Sequence, residues 1–280
     1  MGEDDEPQQA PWSAAIAEWT VWLTSASRSV ETIRLRTYHL HRLSRLAAAP
    51  ADVDAADLAQ FLTSLRAPAT RRSFRASFRQ FFHWALSVGI VSSDPTAQLL
   101  PPPPIRTLPR PAPDDVILAA LHRSSPRVRL MLLLAAEAGL RRAEIARMHT
   151  SSITQTGDRL DLWIDGKGRR QRVVPASPRL ALELRWYLSR TPEGYLFPSP
   201  RRPGPIGAIR VGELVSAALP DGIACHHLRH RFATATYAAS HDLLLVQQLM
   251  GHAKPETTAA YVALDTTTAA DIVRAASLAA

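Results

Sequence analysis

A proline-rich segment near the middle of the chain limits what the rest can fold into. Residues 101–113 read PPPPIRTLPRPAP and hold seven of the 22 prolines in the sequence. Because proline lacks a backbone N–H and has a fixed φ, such a segment forms neither a helix nor a central strand, and it favours a stiff, extended spacer. We therefore predict two domains, at 12–100 and 113–280, joined by a linker at 101–112 and preceded by a flexible N-terminus at 1–11.

The sequence before the linker predicts helices only. One stripe of apolar residues, spaced by four, three and four positions as in a helix that packs against a core, comprises Trp12, Ile16, Trp19 and Leu23. Further helices are predicted from Ser29 to about Ala48, with Leu46 on the apolar side, and over about 54–65 and 69–89.

The last of these helices carries two stripes. The apolar stripe includes Phe74, Phe78 and Phe81, and it predicts a buried aromatic contact. The second stripe, about a third of a turn away, consists of Arg72, Arg75 and Arg79. Such a row of arginines is either an ordinary solvated surface or a contact with the DNA backbone, and in so basic a helical domain we favour the DNA contact.

The sequence after the linker predicts helices and a little β structure. A buried helix runs through Leu130–Ala138 to Gly139, and a hairpin is predicted over 159–175, where β-rich runs flank DGKG. The helices expected beyond it cover about 178–190, 209–219, 227–239, 242–250 and 255–262, with an amphipathic segment at 265–278. The predicted fold class is mainly α with a small β-sheet or hairpin: an all-helical N-terminal domain and a mixed α+β C-terminal domain.

Charge and cysteine content narrow the partners and the compartment. Lysine and arginine number 33 against 25 acidic residues, a net charge of +8 that favours a polyanion such as nucleic acid, although a host that prefers arginine codons gives the same excess. One cysteine excludes an internal disulfide framework and fits a cytoplasmic protein. The acidic start MGEDDEPQQAP is unlike a secretory signal, and the apolar run at 129–140 is interrupted by Arg129, Glu137 and Gly139, so no membrane span is expected.

The stretch CHHLRHRFAT at 225–234 concentrates residues that could carry chemistry. His226 and His230 are four apart and would share a helix face as zinc ligands do, with Cys225 as a third ligand. No glutamate lies between them, and the cation Arg229 would oppose a metal ion. The residues alone leave three hypotheses open: a metal site, structural histidines, or a site that binds an anion.

Three other places bear on that choice. Arg141 and Glu144 follow the helix stop at Gly139, where Arg141 could hold a guanidinium near an anion or form a surface ion pair with Glu144. Lys167 lies between two glycines at the predicted hairpin tip, and alone it is an ordinary exposed lysine. Further on, His252 precedes Tyr261 by nine residues.

In this order the pieces resemble the tyrosine recombinase (phage integrase) family, and the two-domain plan is Xer-like. The matching residues are Arg141 in GLRRAE, Lys167 in GKG, His226 and Arg229 in HHLRH, His252 in LMGH and Tyr261 in TTAAY. The resemblance covers almost the whole chain: 12–100 is similar to the helical, SAM-like core-binding domain and 113–280 to the catalytic domain. The 11 or so residues before the first helix are too few for the additional arm-site domain of many phage integrases.

The resemblance implies a DNA strand transferase that needs neither metal nor cofactor. Tyr261 would attack the scissile phosphate, while Arg141, Arg229 and His252 bind its oxygens. Lys167 would act as general acid and His226 as base or proton relay, with Glu144 and His230 in support. Two features depart from the family pattern: His227 stands where an acidic residue is common, and Arg142-Ala143 replaces an apolar-small pair.

The resemblance also implies partners. These are double-stranded DNA and further copies of the chain, as a tetramer on two DNA sites, with the segment around Ile272–Leu278 donated to a neighbour or packed on its own domain. The alternatives are a type IB topoisomerase-like nicking and resealing enzyme, a non-catalytic DNA-binding regulator on the same scaffold, and, least favoured, a metal hydrolase. Outside the active-site set, Cys225 is expected in the core, and Arg231 is expected to touch DNA or solvent.

Overall fold

The chain divides into two compact units between Arg106 and Thr107. The computed structural model describes residues 10–103, 109–166 and 171–251. The division falls within 101–112, where the sequence predicts a linker, and the domain bounds 12–100 and 113–280 stay predictions. Within the described part of the chain, every helix is too short or too polar to cross a membrane.

The described residues of the first unit form four α-helices: α1 (Ala10–Ser25), α2 (Val30–Leu43), α3 (Ala55–Ser64) and α4 (Pro68–Ser87). Their shared core is aromatic. The ring of Phe81 stacks on Trp12 with centroids 5.8 Å apart and meets the edge of Trp19 at 5.4 Å. All three side chains are buried, which confirms the apolar stripes, and truncating Phe81 to alanine would cost about 3–5 kcal/mol of folding free energy.

Helix α2 is shorter than its sequence predicts. Ser29 caps its N-terminus, its side chain accepting from the N–H of Thr32, but the helix ends at Leu43 and Leu46 is 52% exposed. The predicted end at Ala48 is therefore wrong. The chain turns away because the Trp12 indole donates to the carbonyl of Ala47 at 2.9 Å, and Pro50 disfavours a helical residue before it.

The second unit is mixed, as predicted. Its helices in the described residues are α5 (Asp114–Arg123), α6 (Pro126–Glu137), α7 (Arg142–Ala146), α8 (Pro178–Leu188), α9 (Ala208–Ala217), α10 (Cys225–Ser240) and α11 (Leu243–Met250). Helix α6 is the centre of the core, with every residue from Leu130 to Ala136 buried, and α5, α8, α9 and α10 pack around it. The helices predicted at 255–262 and 265–278 lie outside the described residues.

The β structure in the part of the chain that the structure describes is a three-stranded antiparallel sheet in the order β1 (Ile153–Thr156), β2 (Arg159–Asp165) and β3 (Gln171–Pro175). Strands β2 and β3 form the predicted hairpin, in which Leu162 pairs with Val174. Strand β1 was not predicted, because ITQT holds one apolar residue and is largely exposed. Its pairing with β2 turns at Gly157, whose φ of +61° favours glycine.

Candidate active site

Gly139 brings Arg141 to the site. It ends α6 with a φ of +64°, and a Cβ there would lie 2.4 Å from the ring of Phe232 on α10. Only glycine therefore lets the chain reverse this close to α10. The N–H of Leu140 donates to the carbonyl of Leu134 at 3.0 Å, so the next residue, Arg141, leaves the buried helix at a fixed place.

Glu144 fixes the Arg141 side chain. Its Oε2 accepts the backbone N–H of Arg141 at 2.8 Å, and its Oε1 accepts Nη1 of the same residue at 2.8 Å. The sequence left a surface ion pair open as the plainer interpretation, but Glu144 is only 5% exposed. The Arg141 side chain, by contrast, keeps 40% of its surface exposed, so the guanidinium is anchored on one side and open on the other.

Two further arginines surround the Glu144 carboxylate. Arg172 donates to both of its oxygens, at 3.1 and 2.8 Å, and Nη1 of Arg229 lies 3.9 Å from Oε2. Burial alone would raise the pKa of Glu144, but the hydrogen bonds and charges of Arg172 and Arg141 outweigh it and lower that pKa to about 2. Glu144 is therefore ionised at any physiological pH.

The same three arginines bind three successive carbonyls at the end of α11. Arg172 Nε donates to Leu249 at 2.8 Å, Arg229 Nη2 donates to Met250, and Arg141 Nη2 donates to Gly251 at 3.1 Å. Carbonyls at a helix C-terminus lack partners within the helix and carry partial negative charge, so they suit guanidinium donors. We call Glu144, Arg141, Arg172 and Arg229 the arginine cluster.

Arg229 is more deeply buried than Arg141, the other arginine that the sequence predicts at the site. It is 7% exposed, and its Nη1 donates to the carbonyl of Gly139 at the end of α6. Its guanidinium thus joins the end of α6 to the end of α11. A planar fork held in this way has its orientation set before any ligand arrives.

The three histidines of α10 form one stack with different contacts. His226 lies on His227 with ring centroids 3.8 Å apart, and His230 meets the edge of His226 at 5.6 Å. Partial burial lowers the pKa of His226, and the charges of His227 and Arg142 lower it further. Burial, followed by the charges of His226 and His227, also lowers the pKa of His230. His226 is therefore neutral at physiological pH and can accept a proton.

His227, which the sequence left without a role, caps α10. Its Nδ1 accepts the backbone N–H of Ala224 at 2.9 Å, the task a carboxylate performs at this position of a capping box. Its own carbonyl accepts the N–H of Ala112 at 3.1 Å, and Nδ1 of His230 accepts the N–H of Arg110 at 3.2 Å. The last residues of the proline-rich segment are thereby held on the first turns of α10.

Arg141, His226 and Arg229 line one cleft of about 630 Å³. Arg142 extends along its rim, against α9, where a Cβ on Gly212 would lie 2.9 Å from Arg142 Cδ. The unusual Arg142 thus adds a cation beside the site. Cys225 is buried as expected, and burial raises its thiol pKa to about 11, so it is no nucleophile.

The remaining predicted residues separate into two groups. Lys167, His252 and Tyr261 lie outside the described residues, although the three carbonyls bound by the arginine cluster directly precede His252. On α4, Arg72 donates to the carbonyls of Pro102 and Pro103, at 3.5 and 2.5 Å, and Arg75 donates to Leu99 at 3.0 and 2.5 Å.

Two arginines complete the inventory of expected surface cations. The Arg79 side chain is exposed and makes no hydrogen bond or ion pair with another described residue. Arg231, expected to touch DNA or solvent, makes a two-point ion pair with Asp114 at 2.7 and 2.8 Å and keeps 29% of its side chain exposed. Nowhere in 10–103, 109–166 and 171–251 do three histidine, cysteine or acidic side chains gather as metal ligands would.

Sequence reasoning missed Arg172. It lies on β3 between exposed Gln171 and half-buried Val173, on the inward face that also carries Val174. The alternation of a strand could have found it, since it places a charged residue among core positions, where an arginine needs an acidic partner.

Comparisons with known proteins give relatives along nearly the whole chain. Residues 114–268 match the phage integrase family. Tyrosine recombinase XerC of Chromobacterium violaceum is 31% identical over 271 residues, which cover 90% of this chain and 90% of that protein. Tyrosine recombinase XerD of Caulobacter vibrioides is 29% identical over 282 residues, with 91% and 92% covered.

A solved structure is similar in fold. A lambda integrase tetramer bound to a Holliday junction superposes with a TM-score of 0.69 at 17% identity, over 91% of this chain and 83% of that one. At this identity the likeness concerns the fold, which supports the prediction of a mainly helical chain with a small sheet.

Proposed function

Since the chain belongs to the phage integrase family and is a tyrosine recombinase, we propose that it cuts and rejoins double-stranded DNA at specific sites with Tyr261 as nucleophile. The arginine cluster is the main support for this site. In it, Arg141 and Arg229 both interact with Glu144, and both line the same cleft as His226. Two fixed guanidiniums beside a neutral imidazole suit a phosphodiester that must accept a nucleophile.

The strand transfer conserves the energy of the DNA backbone. The phenolic oxygen of Tyr261 forms a bond to the scissile phosphorus, the bond to the 5′-oxygen breaks, and a 3′-phosphotyrosyl linkage remains with a free 5′-hydroxyl. The 5′-hydroxyl of a partner strand then attacks the same phosphorus and releases Tyr261. One phosphodiester is lost and one is formed, so no nucleotide cofactor is consumed.

Two groups move the protons. His226 takes the proton of Tyr261, whose free phenol with a pKa of about 10 is mostly neutral at physiological pH. The lowered pKa of His226 supports this role, because a base must be deprotonated at the start. Lys167 gives a proton to the leaving 5′-oxygen, a role that rests on its match to the family pattern.

Arg141, Arg229 and His252 bind the non-bridging oxygens as charge shifts toward the transition state. A preorganised donor of this kind contributes a rate factor of about 10²–10³. Glu144 orients the two arginines, and His230 supports the histidine stack and the chain at Arg110. The guanidinium charges supply the electrostatic stabilisation that a metal ion gives elsewhere, so the proposed reaction calls for neither metal nor cofactor.

DNA binding and assembly extend the proposal beyond the cleft. We place Arg72, Arg75 and Arg79 of α4 against the DNA backbone in the cytoplasm, and the exposure of Arg79 supports this. The similar lambda integrase is a tetramer on a Holliday junction, which supports a tetramer on two DNA sites here. The segment around Ile272–Leu278 is the part we assign to a neighbouring copy.

Covalent capture tests this function. Randomly nicked fragments of the host chromosome serve as a first substrate. When a nick lies near the scissile phosphate, cleavage releases a short fragment that bears the free 5′-hydroxyl. This fragment diffuses away and cannot reverse the reaction, so the adduct is trapped. The wild-type chain should form an adduct that survives denaturation and resists EDTA, and Tyr261→Phe should form none. An adduct that persists in Tyr261→Phe would remove Tyr261 as the nucleophile.

A further inference from the structure

Arg172 of β3 is a buried arginine in which each of the three guanidinium nitrogens donates a hydrogen bond. It is 8% exposed, and its Nη1 and Nη2 donate to the two oxygens of Glu144 at 3.1 and 2.8 Å. Its Nε donates to the carbonyl of Leu249 at 2.8 Å. The guanidinium therefore bridges the carboxylate of α7 and the end of α11, and it faces the interior.

These contacts connect three segments that carry the proposed active site. Arg172 follows Lys167 by five residues, on the strand that leaves the hairpin tip. Glu144 holds Arg141 by its backbone N–H and by Nη1. Leu249 precedes His252 by three residues. One side chain is thus linked to Arg141 through Glu144, and it bonds to Leu249, three positions before His252 in the sequence.

Gly251 shows how closely the chain must approach this side chain. Its φ is +59°, and a Cβ at this position would lie 2.9 Å from Nη1 and 3.1 Å from Cδ of Arg172. A side chain here would strain the backbone and displace the guanidinium. The end of α11 is therefore shaped to receive Arg172.

We propose that Arg172 is a positioning residue for strand cleavage, an inference that rests on the proposed function. Arg172 aligns Arg141 through Glu144, and it holds the end of α11, which precedes His252, through Leu249. It does not itself touch the phosphate. A planar fork is needed because the donors must reach a carboxylate and a carbonyl at once. Lysine keeps the charge and can pair with Glu144, but its single ammonium cannot reproduce this geometry. Misplacement of reacting groups by about 1 Å can cost about 10²-fold in rate.

The test compares Arg172→Lys and Arg172→Met in the full chain. The substrate is a synthetic nicked duplex with the sequence recovered from wild-type adducts on chromosomal fragments. Single-turnover adduct formation should slow about 10²-fold in Arg172→Met and at least about tenfold in Arg172→Lys. DNA affinity, measured by fluorescence anisotropy, should stay within about threefold, and the melting temperature of Arg172→Lys should stay near the wild-type value.

A control and a rescue separate positioning from a merely structural role. The side chain of Arg159 on β2 is 56% exposed and pairs with the buried carboxylate of Asp161 on the same strand, and it makes no contact with the arginine cluster among the described hydrogen bonds, so Arg159→Lys should react at the wild-type rate. Millimolar guanidinium added to Arg172→Ala should restore part of the lost rate, since it can occupy the vacated site. Should Arg172→Met and Arg172→Ala fail to fold, Arg172→Lys decides alone.

The outcomes distinguish the two levels of the proposal. No Tyr261-dependent adduct in the wild type would overturn the proposed function. A Tyr261-dependent adduct that Arg172→Lys forms at the wild-type rate, while folded, would overturn the positioning role alone. A slow Arg172→Lys with normal DNA affinity supports it.

Discussion

The chain holds its arginines in two different ways. In the arginine cluster of the second unit, Arg141, Arg172 and Arg229 are fixed by one buried carboxylate and by three carbonyls at the end of α11. On α4 of the first unit, Arg72 and Arg75 donate to backbone carbonyls of 99–103, and Arg79 is exposed. Fixed guanidiniums stabilise a transition state, whereas exposed ones attract a polyanion, so the two sets should fail differently when replaced.

The largest effect is expected from Arg229→Lys. Lysine cannot span the carbonyls of Gly139 and Met250 and also face a phosphate, so adduct formation should slow about 10²–10³-fold. Single-turnover kinetics on the nicked duplex measure it, with DNA affinity close to the wild-type value. The matched control is Arg231→Lys, two residues further along α10 in a surface pair with Asp114. Equal losses of rate in Arg229→Lys and Arg231→Lys would contradict the distinction between the arginines of the cluster and those of the surface.

Glu144→Gln should lower both the rate of adduct formation and the free energy of unfolding. The pKa of Glu144 falls from 4.5 to about 2 on folding, so its ionised form contributes about 3 kcal/mol of stability above pH 4.5. That contribution is lost as pH falls from about 4.5 to about 2, and denaturant unfolding should show the wild-type advantage shrinking over this window. Adduct formation should slow about tenfold to 10²-fold, because Arg141 loses its anchor.

Glu213→Gln serves as the control for the effect of Glu144→Gln on stability. Glu213 pairs with Arg210 on the solvent-exposed side of α9, and such surface pairs contribute about 0–1 kcal/mol. A Glu144→Gln chain as stable as the wild type at pH 7 would show that the arginine cluster is not organised by its carboxylate.

On α4, Arg79→Gln should weaken DNA binding without slowing cleavage. One fewer phosphate contact should reduce the slope of log K against log salt concentration by about 0.9, while the rate at saturating DNA stays unchanged. Arg75→Gln should change the slope less, since Arg75 already donates to Leu99. A lower rate at saturating DNA in Arg79→Gln would erase the distinction between the two sets.

The smallest effect is expected at the rim of the cleft. Partial burial, then His227 and Arg142, lower the pKa of His226, so Arg142→Gln should raise it again. The acid limb of the pH–rate profile should then move to higher pH, and the rate near pH 6 should fall by less than about tenfold. Arg147→Gln, exposed at the other end of α7, is the control. An unmoved acid limb would argue against His226 as the base.

Sequence patterns predicted the helices best where burial is one-sided. Phe74, Phe78 and Phe81 marked the buried face of α4, and Ser29 marked the start of α2. They failed where tertiary contacts decide: the end of α2 depends on a hydrogen bond from Trp12, and β1 forms because β2 lies beside it. Such long-range partners leave no local signal.

Only part of the site was predicted from the sequence, because the rest also depends on long-range contacts. Arg141, His226 and Arg229 follow from motifs, and the structure brings them to one cleft with Glu144. Arg172 carries no motif, and its importance appears only when β3 meets α7 and α11. The capping role of His227 likewise depends on the geometry of the α10 N-terminus.

Mass spectrometry of the trapped adduct identifies the nucleophile. After nuclease digestion of a wild-type adduct, we expect a nucleotide linked to the peptide that contains Tyr261, formed at a rate that Arg229→Lys lowers and Arg231→Lys does not. A nucleotide on any other residue would exclude Tyr261 as the nucleophile, and an adduct that forms equally fast in Arg229→Lys would exclude the role proposed for Arg229.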